Sequence, residues 1–600
     1  MCSSHVFATC VQERSAAVAV SEEEEDPFAL PELRVDYTPW SELTVCGKLR
    51  RVLLHYILKI LLLLGGLYIF VCSLSFLGDA FQLLGGKVAG KAFANNEILA
   101  NPVAGLMIGV LATVLLQSSS TTTSIIVSMV GSGELLTVSQ AIPIVMGANI
   151  GTSVTNTIVA MGQITNKADF RRAFAGATVH DMFNWMTVLV LLPVEVIVKA
   201  AAGQGWLEWM SGKLVVAMAP EQDKTQDRNY LKVITDPFTK LIIQIDKKVI
   251  NDIAQGNDVT NKSIILHKCD KCFMFEYATN PSRGDSRLSD TAVGVILLII
   301  SLVLLCACLV LIVKLLSSLL RGQIALVLRK FINADFPGHF KYFTGYVAIL
   351  IGAGLTVLVQ SSSIFTSSLT PLVGMGVLSL DRMYPLTLGS NIGTTATGIL
   401  AAFAQDSNRI HLAVQIALCH LFFNVCGIVI FYPLPFFRPP IAAAKFLGLR
   451  TSKYRWCSIL YLLFSFGAFP ALIFGLSIAS WIALAVVMIP IALLIICVFF
   501  IKLMQTRCPA ALPKILKNWK FLPPLCRSLE PYDRALIFVT CNCCCCRRVG
   551  CCKSITDDQD SRRQNGHASI KETISNDVNN GHVGDKDATT VDEGHIDTWL

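Results

Sequence analysis

Charge is what this sequence of 600 residues has least of: Asp, Glu, Lys and Arg together make up 15%, against about 25% in an ordinary soluble domain. With 53% apolar residues and a mean hydropathy of +0.58, an arrangement of roughly four average soluble domains is excluded, because its polar surface could not cover so much apolar material. A leader with a basic start and an apolar run is also missing. Met1–Thr44 carries the acidic stretch Glu22–Asp26 instead, so no cleavable signal peptide is expected and the N-terminus is expected to stay cytosolic. Long apolar runs are abundant: Val52–Leu77, Thr291–Leu316, Trp456–Leu476 and Trp481–Ile501 each match the length a helix needs to cross a bilayer. The fold class is therefore an all-α polytopic membrane protein, with the lipid bilayer as its first partner. A net charge of +8 does not argue for nucleic acid here, because Lys and Arg sit mainly between the apolar blocks, where they report orientation.

Five basic clusters define one side of the membrane. They are Lys48, Arg50 and Arg51; Lys167, Arg171 and Arg172; Arg321, Arg329, Lys330 and Lys341; Arg438, Lys445, Arg450, Lys453 and Arg455; and Lys502, Arg507, Lys514, Lys517 and Lys520. All fit a single orientation with both termini cytosolic, the fourth cluster marking an inner loop. Residues 1–51 then form a cytosolic segment, 52–200 a first transmembrane half and 201–290 an extracellular loop. Residues 291–503 form a second half, and 504–600 a cytosolic tail. The outer loop holds the sequon Asn261-Lys-Ser263, whereas Asn280 is blocked by Pro281, so a glycan is expected on Asn261. Cys269 and Cys272 lie in the same loop; outside the cell a strained local disulfide, or pairing with other cysteines, is expected in preference to zinc.

The chain repeats itself. Leu116-Gln-Ser-Ser-Ser120 recurs as Val359-Gln-Ser-Ser-Ser363, and Gly109 and Thr113 upstream match Gly352 and Thr356 at the same spacing. Downstream, the Asn149-Ile-Gly-Thr152 block recurs as Asn391-Ile-Gly-Thr394, and His180-Asp-Met-Phe-Asn184 as His420-Leu-Phe-Phe-Asn424. Repeat 1 covers about 102–200 and repeat 2 about 343–432, with two further spans after it. The basic clusters make the first copy run from outside to inside and the second from inside to outside. Inverted-topology repeats characterise secondary transporters, whose site lies near the midplane where the copies meet.

Gln117-Ser-Ser-Ser120 runs on into Thr121-Thr-Thr-Ser124, a polar patch that lipid cannot solvate and that protein or water must surround. The stretch between Pro102 and Met161 is too long for one crossing. A re-entrant hairpin followed by a full crossing satisfies the charges and puts Gln-Ser-Ser-Ser at a mid-membrane tip. Hydroxyls and the unpaired N–H groups of a helix start donate to oxyanions; amide oxygens, hydroxyls and released carbonyls coordinate sodium. Gly147, Gly151, Gly389 and Gly393 are suited to breaking their helices to release such carbonyls. Packing between helices is the alternative use of these small residues. His180 and Asn184 share a helical face, and Asp181, an ionisable residue in an apolar span, is a functional hypothesis unless it merely pairs with Arg171 or Arg172.

Together these motifs, the large outer loop and the Cys-rich tail resemble the type II sodium-coupled phosphate cotransporters over roughly residues 28–550. The resemblance implies inward transport of inorganic phosphate, chiefly divalent, driven by sodium as co-substrate across an apical epithelial membrane. It implies no other cofactor and no catalytic residue, and sodium as the only metal. It carries binding roles onto Gln117, Ser118, Ser119, Ser120, Gln360, Ser361, Ser362 and Ser363, with Asn149, Thr152, Asn391 and Thr394 as supporting ligands. Family members that move net charge have an aspartate where Asp181 stands and electroneutral ones a glycine, so Asp181 implies an additional sodium and electrogenic transport. The outer loop departs from the family by being shorter and holding only two cysteines, so the usual loop disulfide pattern does not transfer intact.

In the tail, Cys541, Cys543, Cys544, Cys545, Cys546, Cys551 and Cys552 flank Arg547 and Arg548. Their spacing is not that of zinc ligands, and palmitoylation at a basic membrane surface is expected. Within the family this tail is most similar to the intestinal and lung type. The chain ends in Thr598-Trp-Leu600, suited to capture by a PDZ scaffold. Two other classes compete with cotransport. A sodium-independent anion channel or exchanger would share the polar midplane. An intramembrane serine hydrolase would use Ser118–Ser120 with His180 or His420, but no Gly-x-Ser-x-Gly elbow surrounds them.

Overall fold

The computed structural model describes residues 26–30, 44–50, 52–53, 57–93, 96–132, 136–218, 237–239, 242–255, 264–265, 289–319, 330, 332–403, 410–507, 512–519, 521–523 and 529–533. Asn261, Cys269, Cys272, Cys541, Cys543–Cys546, Cys551, Cys552, Thr598 and Leu600 lie outside the described residues. The chain divides into two compact units, Met1–Leu493 and Leu494–Leu600. In the second, Gln505 Nε2 donates to the Leu516 carbonyl at 2.7 Å beside the short turn Lys514–Lys517.

Among the described residues the structure is helical, with one isolated antiparallel bridge between Ile245 and Ile265. This is the economy lipid imposes, since a helix satisfies its own backbone. Eight helices, among the described residues, are long and apolar enough to cross a membrane. In chain order, α1 is Leu58–Phe93, α2 Pro102–Leu116, α3 Ser119–Ser132, α4 Val138–Gly151, α5 Ser153–Met161 and α6 Lys167–Ala202. They are followed by α7 Trp206–Met218, α8 Lys247–Ala254, α9 Asp290–Leu319, α10 Phe343–Val359, α11 Ser362–Gly374 and α12 Leu380–Phe403. The last are α13 Ile410–Phe431, α14 Pro439–Lys453, α15 Trp456–Leu463, α16 Phe469–Ala479 and α17 Trp481–Arg507, with a π-turn at Phe464–Ala468 joining α15 to α16.

Local chemistry sets the ends that matter here. Asn101 caps α2, accepting from Val103 N at 2.9 Å with Pro102 in the first turn, and Thr137 and Gln140 form a reciprocal capping box on α4. Helices α2 and α3 have 15 and 14 residues, about 22 Å each at 1.5 Å per residue, short of the ~30 Å hydrocarbon core. They form a hairpin, followed by the longer run of α4 and α5, which crosses as one 24-residue apolar stretch.

Of the repeated blocks only the first coincides with an interruption, where α4 ends at Gly151 and α5 begins at Ser153; the second does not break its helix, contrary to the expectation from sequence. Between α4 and α5, Thr152 keeps right-handed helical angles (φ −60°, ψ −31°), and α12 runs through Asn391–Thr394 without interruption. The role of these glycines is close approach. A Cβ on Gly109 would collide with the Ile144 carbonyl and one on Gly147 with that of Leu106; a Cβ on Gly151 would stand 2.7 Å from Thr113 Cβ. The second copy repeats this, Gly352 against the Leu386 carbonyl, Gly389 against that of Ile349, and Gly393 with its Cβ 2.7 Å from Thr356 Cβ. Each copy thus presses its hairpin's first arm, α2 or α10, onto its motif helix, α4 or α12, with backbones almost touching. Gly147→Val or Gly389→Val is expected to destabilise the protein by about 3 kcal/mol or more, because backbone cannot yield as a side chain does. Surface abundance and thermal stability of the detergent-purified protein check this; wild-type values for both would refute it.

The basic segment read as a fourth inner loop contains a helix, α14, packed against α6, where a Cβ on Gly448 would stand 2.6 Å from the Arg171 carbonyl. Its Lys445 pairs with Asp26 at 3.7 Å, and the Phe28 ring lies under both Lys445 and Arg171. The polar region after residue 200 contains α7, whose N-terminal amides are held by the buried Glu195 of α6 (Leu207 N to Oε2, 2.7 Å).

Candidate functional site

Both Gln-Ser-Ser-Ser motifs occupy the bend of a helical hairpin, and the bend is made the same way twice. Gln117 ends α2 with φ 50° and ψ 28°, and Gln360 ends α10 with φ 54° and ψ 24°. These are the only non-glycine residues with positive φ among the described residues. The following serine caps the return helix: Ser118 Oγ accepts from Thr121 N at 3.1 Å and Ser361 Oγ from Ile364 N at 3.3 Å. Ser119 and Ser362 are buried in the first turns of α3 and α11, while Gln117, Ser118, Ser120, Gln360, Ser361 and Ser363 are half-buried. The two arms of the first hairpin are tied by Thr113 Oγ1 donating to Thr122 Oγ1 at 3.1 Å. In the second, Thr356 Oγ1 donates to Ser390 Oγ of α12 at 3.0 Å.

One turn of α5 gathers both hairpins. Thr155 Oγ1 donates to Gln117 Oε1 at 2.9 Å, and the neighbouring Asn156 Oδ1 accepts from Thr366 Oγ1 at 2.9 Å and Ser367 Oγ at 2.8 Å, both on α11. The tip of the first hairpin and the return helix of the second therefore meet on adjacent residues. Neither Thr155 nor Asn156 was singled out by sequence reading. The available signal was the polar continuation Ser153-Val-Thr-Asn-Thr157 directly after the motif, which has only a partial counterpart in the second copy, where Gly398 stands in place of Asn156.

The motif asparagines are buried between the copies. Asn391 Oδ1 lies 2.5 Å from His180 Nε2 and Asn149 Oδ1 3.1 Å from His420 Nε2. Asn184 bridges the two, accepting from Asn391 Nδ2 at 2.9 Å and donating to the Asn149 carbonyl at 2.8 Å. Thr152 and Thr394 turn their hydroxyls back onto their own helices, to the carbonyls of Ala148 and Ser390, both at 3.0 Å. The histidines' hydrogen bonds go to these asparagines, and His180 Nδ1 also lies 3.5 Å from Ser153 Oγ; among the described residues the serines of the tips are not among their partners.

Asp181 is buried, and Oδ2 accepts from the hydroxyl of Tyr461 on α15. Among the described residues Oδ1 has no hydrogen-bond partner. Arg172 is engaged elsewhere, with Asp169 at 2.7 Å and the Gly374 carbonyl at 2.8 Å, so the interfacial pairing entertained for Asp181 is not how it is held. No sequence pattern marked Tyr461, one of three hydroxyls, with Ser458 and Ser465, in an apolar run.

A site of this composition offers hydroxyls, amides and helix starts, with no Lys or Arg in either motif. It can take an oxyanion on donors and a hard cation on oxygens, and has no side-chain positive charge of its own to balance the anion.

The family profile described as Na+/Pi-cotransporter matches residues 69–204 and 327–480, which include both hairpins and both motif helices. The human sodium-dependent phosphate transport protein 2B is 50% identical over 580 residues, covering 89% of this chain and 83% of its own length. The Bos taurus 2B protein is 51% identical over 589 residues, covering 91% and 82%, and the Rattus norvegicus 2A protein 54% identical over 497 residues, covering 80% and 77%. No solved structure matches the chain significantly. Half of all positions shared over four-fifths of the length or more leaves one assignment: this chain belongs to the Na+/Pi-cotransporter family, whose members are transporters and not enzymes.

Proposed function

We propose that this chain is a sodium-coupled symporter that imports inorganic phosphate, chiefly as the divalent ion, by alternating access around the two Gln-Ser-Ser-Ser tips. The observation that carries this reading is the meeting of Gln117 with Thr155, and of Thr366 and Ser367 with Asn156, on one turn of α5. The tip of one hairpin and the return helix of the other, converging from different copies, support a place where an anion is held by Ser118–Ser120 on one side and Ser361–Ser363 on the other. The Gln amides are proposed to serve both ions, the NH2 donating to phosphate and the oxygen facing sodium, and the motif residues Asn149, Thr152, Asn391 and Thr394 are the proposed further oxygen donors for sodium. Phosphate brings charge that these neutral groups do not neutralise, and in a medium of low dielectric that charge is expensive to hold. Sodium bound alongside offsets it, which couples the two fluxes physically.

Inversion of the two copies supplies the rocking of one repeat against the other in this scheme. Asp181 is assigned to an additional sodium and to net charge movement. The same reading places the protein in the plasma membrane, at the apical face of epithelial cells, with a glycan on Asn261, a disulfide involving Cys269 and Cys272, palmitoylated cysteines in the tail, and a PDZ scaffold on Thr598–Leu600.

Uptake of radiolabelled phosphate in cells expressing the chain, measured with sodium and then with choline in its place, tests the coupling. Loss of uptake in choline is the expected result. Uptake that persists unchanged would identify a channel or exchanger and overturn the proposal.

A further inference from the structure

Each motif asparagine is held by a histidine of the other copy. His180, on α6 of the first repeat, contacts Asn391 of the second; His420, on α13 of the second, contacts Asn149 of the first. All four side chains are buried. This exchange follows from the packing of α6 against α12 and of α13 against α4. Duplication alone did not require it, since each histidine might equally have met the asparagine of its own copy.

An asparagine side chain has an oxygen and a nitrogen of nearly equal size, so shape does not decide which end points where; the hydrogen-bond partners do. An N–H donor selects the oxygen. In the tautomer with a proton on Nε2, each histidine draws the amide oxygen toward itself. That oxygen has two lone pairs and the histidine uses one, leaving the other for a cation. Without the donor the amide can rotate and present its NH2 group, which a cation repels.

The two clamps are unequal. Asn391 is held twice, by His180 at Oδ1 and by Asn184, which accepts from Nδ2 at 2.9 Å. Asn149 has His420 at Oδ1, and among the described residues its Nδ2 reaches only the Val145 carbonyl of its own helix at 3.3 Å, a longer contact to an oxygen placed to serve the helix ladder as well. Loss of His420 therefore leaves Asn149 less determined than loss of His180 leaves Asn391.

We propose that His180 and His420 are positioning residues for sodium binding, each fixing the amide of the opposite repeat's Asn-Ile-Gly-Thr motif with its oxygen available to the cation. This rests on the reading of the motif asparagines as sodium ligands in a sodium-coupled transporter.

The test is the sodium activation curve of radiolabelled phosphate uptake, normalised to transporter at the cell surface. His420→Phe, which keeps an aromatic volume without the donor, is expected to raise half-saturating sodium by about tenfold or more, in the range for losing a hydrogen-bonded charged partner. His180→Phe is expected to raise it less. His420→Gln, which returns an N–H to about the same reach, is expected to restore it to within about threefold of wild type. A lower maximal rate in His420→Phe with half-saturating sodium unchanged would mean a packing role and overturn the inference. If that variant does not reach the surface, His420→Gln is compared with His420→Asn, whose shorter amide falls short of Asn149; equal sodium curves for the two would overturn it. Asn149→Ala separates this from the underlying reading. An unchanged sodium curve there refutes the asparagine as a ligand, whereas a shifted curve with His420→Phe unshifted refutes the positioning role alone.

Discussion

Glycine in place of Gln117 or Gln360 is expected to give a transporter that folds, reaches the cell surface and fails to bind phosphate normally. Both glutamines sit at left-handed angles, φ 50° and 54°, which cost a residue with a Cβ about 1–2 kcal/mol and cost glycine nothing. The backbone of each tip is therefore better served by glycine, and the hairpins should survive the change. What disappears is the amide, which at Gln117 donates to the Val114 carbonyl at 2.7 Å and accepts from Thr155 at 2.9 Å. A residue kept in an unfavourable conformation at the same point of two copies is held there for its side chain. Losing one hydrogen-bonding group to a charged ligand is worth about 1.5–3 kcal/mol, so half-saturating phosphate should rise about 10- to 100-fold. Uptake curves beside surface biotinylation measure both quantities. A glycine variant with normal surface abundance and wild-type phosphate affinity would remove the tips from the binding site.

Replacing Asp181 with glycine is expected to abolish phosphate-evoked current while some uptake continues. The carboxylate is buried with Tyr461 on one oxygen and, among the described residues, no hydrogen-bond partner on the other, an arrangement that gives an ionised Asp181 one neutral donor in the interior of a membrane protein. Buried charge is retained there only when a partner compensates it, and with Arg172 on Asp169 and Gly374, a sodium ion at Oδ1 is the partner we propose. On that proposal, one fewer cation accompanies each phosphate once the aspartate is gone. One elementary charge crossing the membrane is worth about 2.3 kcal/mol per 100 mV, so uptake by Asp181→Gly should also lose its dependence on membrane potential. Tyr461→Phe keeps the charge and removes its donor; current should persist, with half-saturating sodium changed about three- to tenfold. Simultaneous current and tracer uptake in one cell decides the matter, and a current-to-uptake ratio equal to wild type in Asp181→Gly would sink the assignment.

The helical membrane class, the duplication and the place of the hairpin bends were legible in the residues. Twenty-residue apolar runs admit little besides helices in lipid, and a Gln-Ser-Ser-Ser patch in a stretch from Pro102 to Met161 that is too long for one crossing reads as a bend. The glycines of Asn-Ile-Gly-Thr were not legible in the same way. Glycine permits a helix break and also permits two helices to touch, and nothing along the chain chooses between them; the carbonyls of Leu106 and Ile349 lying directly against Gly147 and Gly389 do. The basic run from Arg438 to Arg455 read as an inner loop because its charges suit an interface, and it contains a helix packed against α6. Tyr461 carried no signal at all, since its meaning comes from Asp181, 280 residues away in sequence.

By itself the sequence determined that the chain lives in a membrane, that it consists of two related halves, and which residues of one half correspond to which of the other. These are properties of composition and of short-range pattern. Tertiary structure alone decided that the halves exchange partners, His180 with Asn391 and His420 with Asn149, and that Thr155 and Asn156 bring both hairpins to one turn of helix. Correspondence between copies says what is alike in them. What touches what depends on how helices more than two hundred residues apart are packed, and that is set by the near-contact of backbones at small residues and by buried polar groups that have no water to turn to.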